Sequence, residues 1–201
     1  MNPNPTAWLF DLDGTLVDSE RASVRAWSRI ADRYAIDLDA ILRVHGGRPP
    51  EGTLALAAPQ LPPATVAEAL ADLWRGLYDD VSDVTAHAGA HDLIRAIEAA
   101  GRPWAIVTAC DRRLAAARLG AAGITPALVV TCDELTAGKP DPQGYLLAAA
   151  RLEVPPAKCL VVEDAAAGVQ AGRAAGMRVA GVHGVEGDLT VAGLAGLLSL
   201  I

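Results

Sequence analysis

The chain has 201 residues, 52% of them hydrophobic but only 4% aromatic, so its interior must be built from Ala, Leu and Val. That length and apolar content suit one large domain, or one core domain with a modest insertion. The net charge of −7, with no Lys/Arg run, argues against nucleic acid as a partner but leaves room for a small anion held by a local cation or metal.

Three cysteines, Cys110, Cys132 and Cys159, are odd in number and lack metal-ligand spacing, so they read as thiols in a reducing compartment. The N-terminus carries no basic leader and no stretch is long enough to span a bilayer. A cytoplasmic protein with no membrane contact is expected, with a monomer as the default state.

The first apolar run, residues 7–10, reads as a buried strand. From Leu16 to Val84 no strand-like run follows. Instead Val24, Trp27, Ile30, Ala31 and Tyr34 recur at helical spacing within residues 20–34, as do Val66, Leu70, Leu73, Trp74 and Leu77 within 65–78. Two shorter helical pieces, around 40–44 and 51–58, flank the segment His45-Gly46-Gly47-Arg48-Pro49-Pro50.

Thereafter strands and helices alternate. A helix over 90–100 stops at Gly101, and a strand follows over 104–108. Asp111 caps a helix that stops at Gly123, and a strand follows over 128–131. Asp141-Pro142 opens another helix, a strand covers 160–163, a helix over 165–175 stops at Gly176, and a last strand covers 178–182. The pattern predicts an α/β fold: a doubly wound parallel sheet of five strands in a Rossmann-like core (residues 1–16 and 85–201), with an α-helical insertion at 17–84.

In such a sheet, ligands bind beyond the carboxyl ends of the strands, and polar residues stand at those ends. Asp11-Leu12-Asp13-Gly14-Thr15 follows the first strand, Thr108-Ala109 the second, Lys139-Pro140 the third after a short loop, and Glu163-Asp164 closes the fourth. The set fits phosphoryl transfer. Asp11 can attack phosphorus to form an acyl phosphate. Asp13, two residues on and on a loop, can face the same cleft, protonate the departing alkoxide and later deprotonate water. Gly14 lets backbone N–H groups approach phosphate oxygens. Thr108 offers a hydroxyl, and Lys139 a point charge that also pairs with the nucleophile. Asp164, with Glu163, would bring a hard cation, Mg²⁺, between Asp11 and the phosphate.

The segments FDLDGTLVDSE (10–20), AIVTA (105–109), GKPDP (138–142), VVEDAAAG (161–168) and AGM (175–177) together resemble the haloacid-dehalogenase superfamily of phosphatases. The helical insertion is similar to the cap of the β-phosphoglucomutase-like branch. HGGRPPEGTL (45–54) and RPWAIVTA (102–109) resemble the sugar- and polyol-phosphate phosphatases most closely. The resemblance implies hydrolysis of a small phosphomonoester. Asp11 would be the nucleophile, Asp13 the acid/base, and Thr108 and Lys139 the phosphoryl ligands. It also implies Mg²⁺ held by Asp11, the Asp13 carbonyl and Asp164, with Glu163 beside them, and substrate contacts from Leu12, Gly14 and Ala109. Ala109 replaces a common Ser or Asn, leaving only a backbone N–H there.

Mutases of this branch carry a histidine where this chain has Ser23, which favours net hydrolysis. Phospho-acceptor signalling modules share an Asp, Thr, Lys and acidic pair, but place the pair before the phosphorylated Asp and lack both the second Asp and the cap. Within the cap, the paired glycines Gly46 and Gly47 permit close approach and Arg48 can bond two oxygens at once, so this loop is expected to contact the leaving group, with His45 orienting it. Cys110 is expected to fill space at a helix start; the sharper alternative is an oxidation-sensitive thiol whose pKa the helix N-terminus lowers.

Overall fold

The structure, a computed structural model, describes residues 4–46 and 48–201. Strand β1 (Ala7–Phe10) leads to a short strand, β2 (Val17–Asp18), and then to four helices, α1 (Glu20–Tyr34), α2 (Leu38–Leu42), α3 (Pro50–Ala57) and α4 (Pro63–Asp79). The chain returns through β3 (Thr85–Ala86) and α5 (Ala90–Ala99) to β4 (Trp104–Val107), α6 (Arg112–Ala122) and β5 (Val129–Val130). It finishes with α7 (Gln143–Arg151), β6 (Cys159–Glu163), α8 (Ala166–Ala174), β7 (Arg178–Gly181) and β8 (Leu189–Thr190).

The main sheet has the order β5-β4-β1-β6-β7-β8, and all its pairings are parallel. The chain starts at the centre, runs outward through β4 to β5, then returns to the other side of β1. Connections therefore diverge between β1 and β6, and a crevice opens above their carboxyl ends. The expected five strands gain a sixth, β8. It is two residues long and makes one short pairing with β7 (Ala180 with Leu189, Gly181 with Thr190), so it leaves no apolar run to read. A second unread pairing is the antiparallel ribbon of β2 with β3, Val17 opposite Ala86 and Asp18 opposite Thr85. This ribbon is the stem from which the helical insertion rises.

β1 is buried on both faces, which explains its unbroken apolar sequence. Trp8 and Phe10 point to the side covered by α5 and α6, among Leu93, Ile97, Leu114 and Leu119. Ala7 and Leu9 point to the other, against Tyr145 and Ala148 of α7 and Val169 and Ala171 of α8. The Trp8 and Phe10 rings stack at 6.0 Å, and Phe10 meets Trp104 edge-on at 6.1 Å. Helix ends follow the sequence signals. Asp111 accepts from the Leu114 N–H at 2.8 Å, and Gly123 takes a left-handed turn at φ 65°. Asp141 accepts from the Gln143 N–H at 2.9 Å, so α7 starts just after Pro142.

In the insertion, α1 packs on α4 through Ala26, Trp27, Ile30 and Ala31 against Ala69, Leu73 and Leu77. Val24 and Tyr34, expected on the buried face, are half-buried, because small Ala22 and Ala26 form the inner stripe instead. Tyr34 turns its hydroxyl to Asp72 at 2.7 Å. The Arg25 fork bonds both Asp80 and Asp83, at 2.8–2.9 Å, and ties α1 to the chain leaving α4. Among the described residues, no helix is long and apolar enough to cross a membrane.

Gly172 on α8 sits where an added Cβ would lie 2.8 Å from a Val179 methyl carbon and 3.2 Å from those of Val161. Gly172→Ala should overpack the helix–sheet contact and cost about 1–3 kcal/mol, lowering Tm by about 2–4 °C per kcal/mol. Calorimetry or urea unfolding of the variant checks this.

Candidate active site

The four strand ends converge as their order in the sheet requires. Asp11, one residue beyond β1, is 3% exposed, and its Oδ1 accepts from the Lys139 ammonium. Lys139 arrives on the loop after β5. That loop is pinned from behind by Gln143, whose Oε1 accepts from the N–H groups of Thr136 (2.9 Å) and Ala137 (3.0 Å). The same ammonium lies 2.7 Å from Oε1 of Glu163, a residue with no solvent exposure at all. Tyr145 from α7 donates its hydroxyl to that oxygen at 2.5 Å, and the Ala165 N–H approaches the other at 3.4 Å. Burial works against the Lys139 ammonium, yet Asp11 and Glu163 outweigh it and raise its pKa, so the lysine is a fixed cation.

Asp164 stands beside this pair. Its Oδ1 accepts from Thr15 at 2.8 Å, while Oδ2 fills the space over Gly14, where a Cβ would come within 2.1 Å. Gly14 also has φ 84°, so both its conformation and its missing side chain are needed. Burial, with Glu163 alongside, lifts the Asp164 carboxyl to about 6. Asp11, Glu163 and Asp164 each offer an oxygen within 4.8 Å of the others. The Asp11 Oδ2 is buried without a hydrogen-bond partner, and the one ammonium pairs with Asp11 and Glu163 but not with Asp164. Those features fit a hard divalent cation. Burial and the neighbouring carboxylates push the Asp11 carboxyl upward in the absence of such an ion, with Lys139 opposing them.

Asp13 lies across the same cavity with every oxygen engaged. Oδ1 accepts from Ser19 (2.6 Å) and Arg118 (2.6 Å), and Oδ2 from the Cys110 thiol (2.9 Å). Thr108 is buried, and its hydroxyl oxygen accepts from the Cys110 N–H at 3.0 Å. Burial and the adjacent Asp13 push the Cys110 thiol well up, so the oxidation-sensitive thiolate considered from the sequence is not what the helix start produces.

One cavity joins these groups: Asp11, Asp13, Gly14, Thr108, Ala109 and Asp164 form its floor. Its roof is the insertion, through Ser19, Glu20, Ser23 and Trp27 of the α1 region and Trp74 and Leu77 of α4. His45, Gly46 and Arg48 close one side. His45 ties that loop down, with Nδ1 3.1 Å from the Leu42 carbonyl and Nε2 3.6 Å from Glu20, while the Arg48 Nε donates to the Val44 carbonyl at 3.3 Å. Pro49 packs onto Gly138, next to Lys139, where a Cβ would meet its ring at 2.5 Å. Gly47 lies outside the described residues. Leu12 buries its side chain in the core and does not line the cavity. Lys139 and Glu163 sit beneath the floor rather than on it.

Three residues at the site were not read from the sequence. Tyr145 carries no motif signal, and Ser19 lies within the segment 10–20 without a role that the pattern assigns. Arg118 does leave a trace: Leu114, Ala115, Leu119 and Ala122 mark the inner face of α6, and an arginine at position 118 falls within that stripe.

A Cβ on Gly168 would sit 1.8 Å from one Glu163 oxygen and 2.3 Å from the other. Gly168→Ala must therefore expel the carboxylate that holds Lys139, and should cost about 3–5 kcal/mol, as for a broken buried ion pair. Gly120→Ala, whose methyl meets open space on helix α6, should be neutral or stabilising by up to about 1 kcal/mol. Urea unfolding of the two variants separates a local clash from a general cost of losing glycine.

A family model for haloacid dehalogenase-like hydrolases matches residues 6–176. The chain is 40% identical over 177 residues to hexitol phosphatase A of Escherichia coli (strain K12), covering 88% of this chain and 82% of that protein. It is 32% identical to the fructose-1-phosphate phosphatase of the same organism, over 84% of this chain and 92% of that one. Among solved structures, a hydrolase from Pseudomonas syringae superposes with a TM-score of 0.81 at 27% identity, over 90% of this chain and 86% of that one. On the family match, these identities and the shared parallel-sheet architecture, the chain belongs to the haloacid dehalogenase-like hydrolases and is a phosphatase.

Proposed function

We propose that this phosphatase cleaves a small sugar or polyol phosphate through a phosphorylated Asp11, with Mg²⁺ as cofactor. The observation that carries this reading is the state of Asp11, which lines the cavity with Asp13: one carboxylate oxygen is fixed by Lys139, and the other is buried and has no hydrogen-bond partner. An anionic nucleophile oriented by one oxygen and unencumbered at the other is what attack on phosphorus needs. The Asp11 Oδ2 forms a bond to phosphorus as the bond to the leaving oxygen breaks, and Asp13 gives that oxygen its proton. Asp13 then takes a proton from water as the water oxygen attacks phosphorus, releasing inorganic phosphate and restoring the Asp11 carboxylate. Thr108 holds a phosphoryl oxygen, the backbone at Gly14 and Ala109 closes around the group, and Lys139 orients Asp11 from beneath and adds its positive charge there.

Asp11, the Asp13 carbonyl and Asp164 would hold the metal. Glu163, already engaged by Lys139 and Tyr145, serves to keep the ammonium in place. Mg²⁺ held there would offset the negative charge that the carboxylates and a phosphate bring together. Residues 17–84 act as the cap and 1–16 with 85–201 as the catalytic core. The substrate class is supported by the likeness to hexitol phosphatase A and by the polar residues Ser19, Glu20, Ser23, His45 and Arg48 on the insertion's side of the cavity, which suit a hydroxyl-rich leaving group.

Phosphate release from a panel of hexitol phosphates, fructose 1-phosphate and nucleoside monophosphates tests the reading. The sugar and polyol esters should be hydrolysed fastest, with Mg²⁺ required and excess EDTA abolishing turnover. Asp11→Asn should be inactive, and Asp13→Asn slower by about 10²-fold or more. Full activity in EDTA or near-normal Asp11→Asn would overturn the mechanism, and a preference for nucleotides the substrate class.

A further inference from the structure

Arg118 is 4% exposed, on the inner face of α6, and its guanidinium borders the cavity. A buried arginine needs partners, and this one has two of different origin. Nη1 donates to Asp13 Oδ1 at 2.6 Å in the core, and Nη2 to the Ser23 hydroxyl oxygen at 3.0 Å on helix α1 of the insertion. Nη1 also lies 3.5 Å from the Cys110 sulfur, and the Nε–H is buried with no partner. Both terminal nitrogens of the fork are thus engaged, one by a carboxylate of the core and one by a hydroxyl of the insertion.

The two oxygens of Asp13 are consequently unequal. Oδ1 receives a guanidinium N–H and the Ser19 hydroxyl, both strong donors, while Oδ2 receives only a thiol, a weak one. We propose that Arg118 is a positioning residue that locks Asp13 through Oδ1, leaving Oδ2 as the oxygen that exchanges the proton, and that Ser23 anchors this lock to the cap. The inference rests on the assignment of Asp13 as acid/base. In the first half-reaction the Oδ2 proton passes to the leaving oxygen as its bond to phosphorus breaks. In the second, Oδ2 takes a proton from the attacking water as the Asp11–phosphorus bond breaks. Without Arg118, Asp13 keeps its chemistry and loses its aim.

A double-mutant cycle of Arg118→Met and Asp13→Asn in the full-length protein, read with phenyl phosphate and p-nitrophenyl phosphate, tests this. Arg118→Met should lower kcat on phenyl phosphate roughly 10- to 150-fold, the loss expected for one charge-assisted hydrogen bond, with KM changed by less than about threefold. The loss should be smaller on p-nitrophenyl phosphate, whose leaving group needs little protonation. In the Asp13→Asn background, Arg118→Met should reduce kcat by no more than about threefold further. Arg118→Lys, which keeps the charge but not the fork, should fall between the two. Ser23→Ala removes only the outer anchor, so it should show a milder loss that likewise vanishes with Asp13→Asn; it decides the question should Arg118→Met fail to fold. Multiplicative losses in the double variants, or a raised KM at unchanged kcat, would overturn the lock. An unimpaired Asp13→Asn would instead remove the acid/base assignment beneath it.

Discussion

The site is organised around one buried cation. Lys139 has two carboxylates within contact distance, Asp11 above it and Glu163 below, and removing any one of the three strands a charge in a place water does not reach. Taking such groups out of water costs several kcal/mol each, and the cost is offset only where the geometry is fully satisfied. Much of the neighbouring structure serves that condition. Tyr145 caps Glu163, Gly168 makes room for its carboxylate, and Gln143 fixes the loop that delivers the lysine. These supports come from α7, α8 and the loop before α7, on the face of the sheet that also buries Ala7 and Leu9.

The second carboxylate is held on opposite terms. Asp13 is clamped from the insertion side by Ser19, from α6 by Arg118 and from the strand-end loop by Cys110. Asp11 is a matter of the core alone, while Asp13 sits at the seam between core and cap, where Tyr78 of α4 also bonds Asp111 and receives the Arg113 cation on its ring at 4.1 Å. Under the proposed mechanism, a division of this kind gives rigidity to the attacking carboxylate and links the acid/base carboxylate to the helical insertion over the cavity.

How far the sequence could be read depends on the length of each signal. The long amphipathic helices and the buried strands announced themselves: the helical spacing over 20–34 coincides with α1, β1 and β4 are unbroken apolar runs, and β6 and β7 are apolar but for one charged residue at an end. The strand-end residues were legible because phosphoryl chemistry calls for particular groups and each stands just beyond an apolar run, where a parallel sheet brings strand ends together. Two-residue strands were not legible: β8 and the β2–β3 ribbon are set by pairing partners distant in sequence, and periodicity has nothing to count. Tyr145 and Ser19 are ordinary residues on ordinary elements until the fold aims them at Glu163 and Asp13. Arg118 was within reach, as a charge on an apolar stripe, but a single such position weighs little until its partner is seen.

The central claim is that Asp11 carries the phosphoryl group. The most direct measurement is to mix the Asp13→Asn variant with p-nitrophenyl phosphate and Mg²⁺, quench in acid, reduce with borohydride and map the peptides by mass spectrometry. An aspartyl phosphate is reduced to homoserine, whereas a free aspartate is untouched, so homoserine at position 11 that depends on substrate is the predicted result. Product formation without modification at position 11, or with modification elsewhere, would contradict the account.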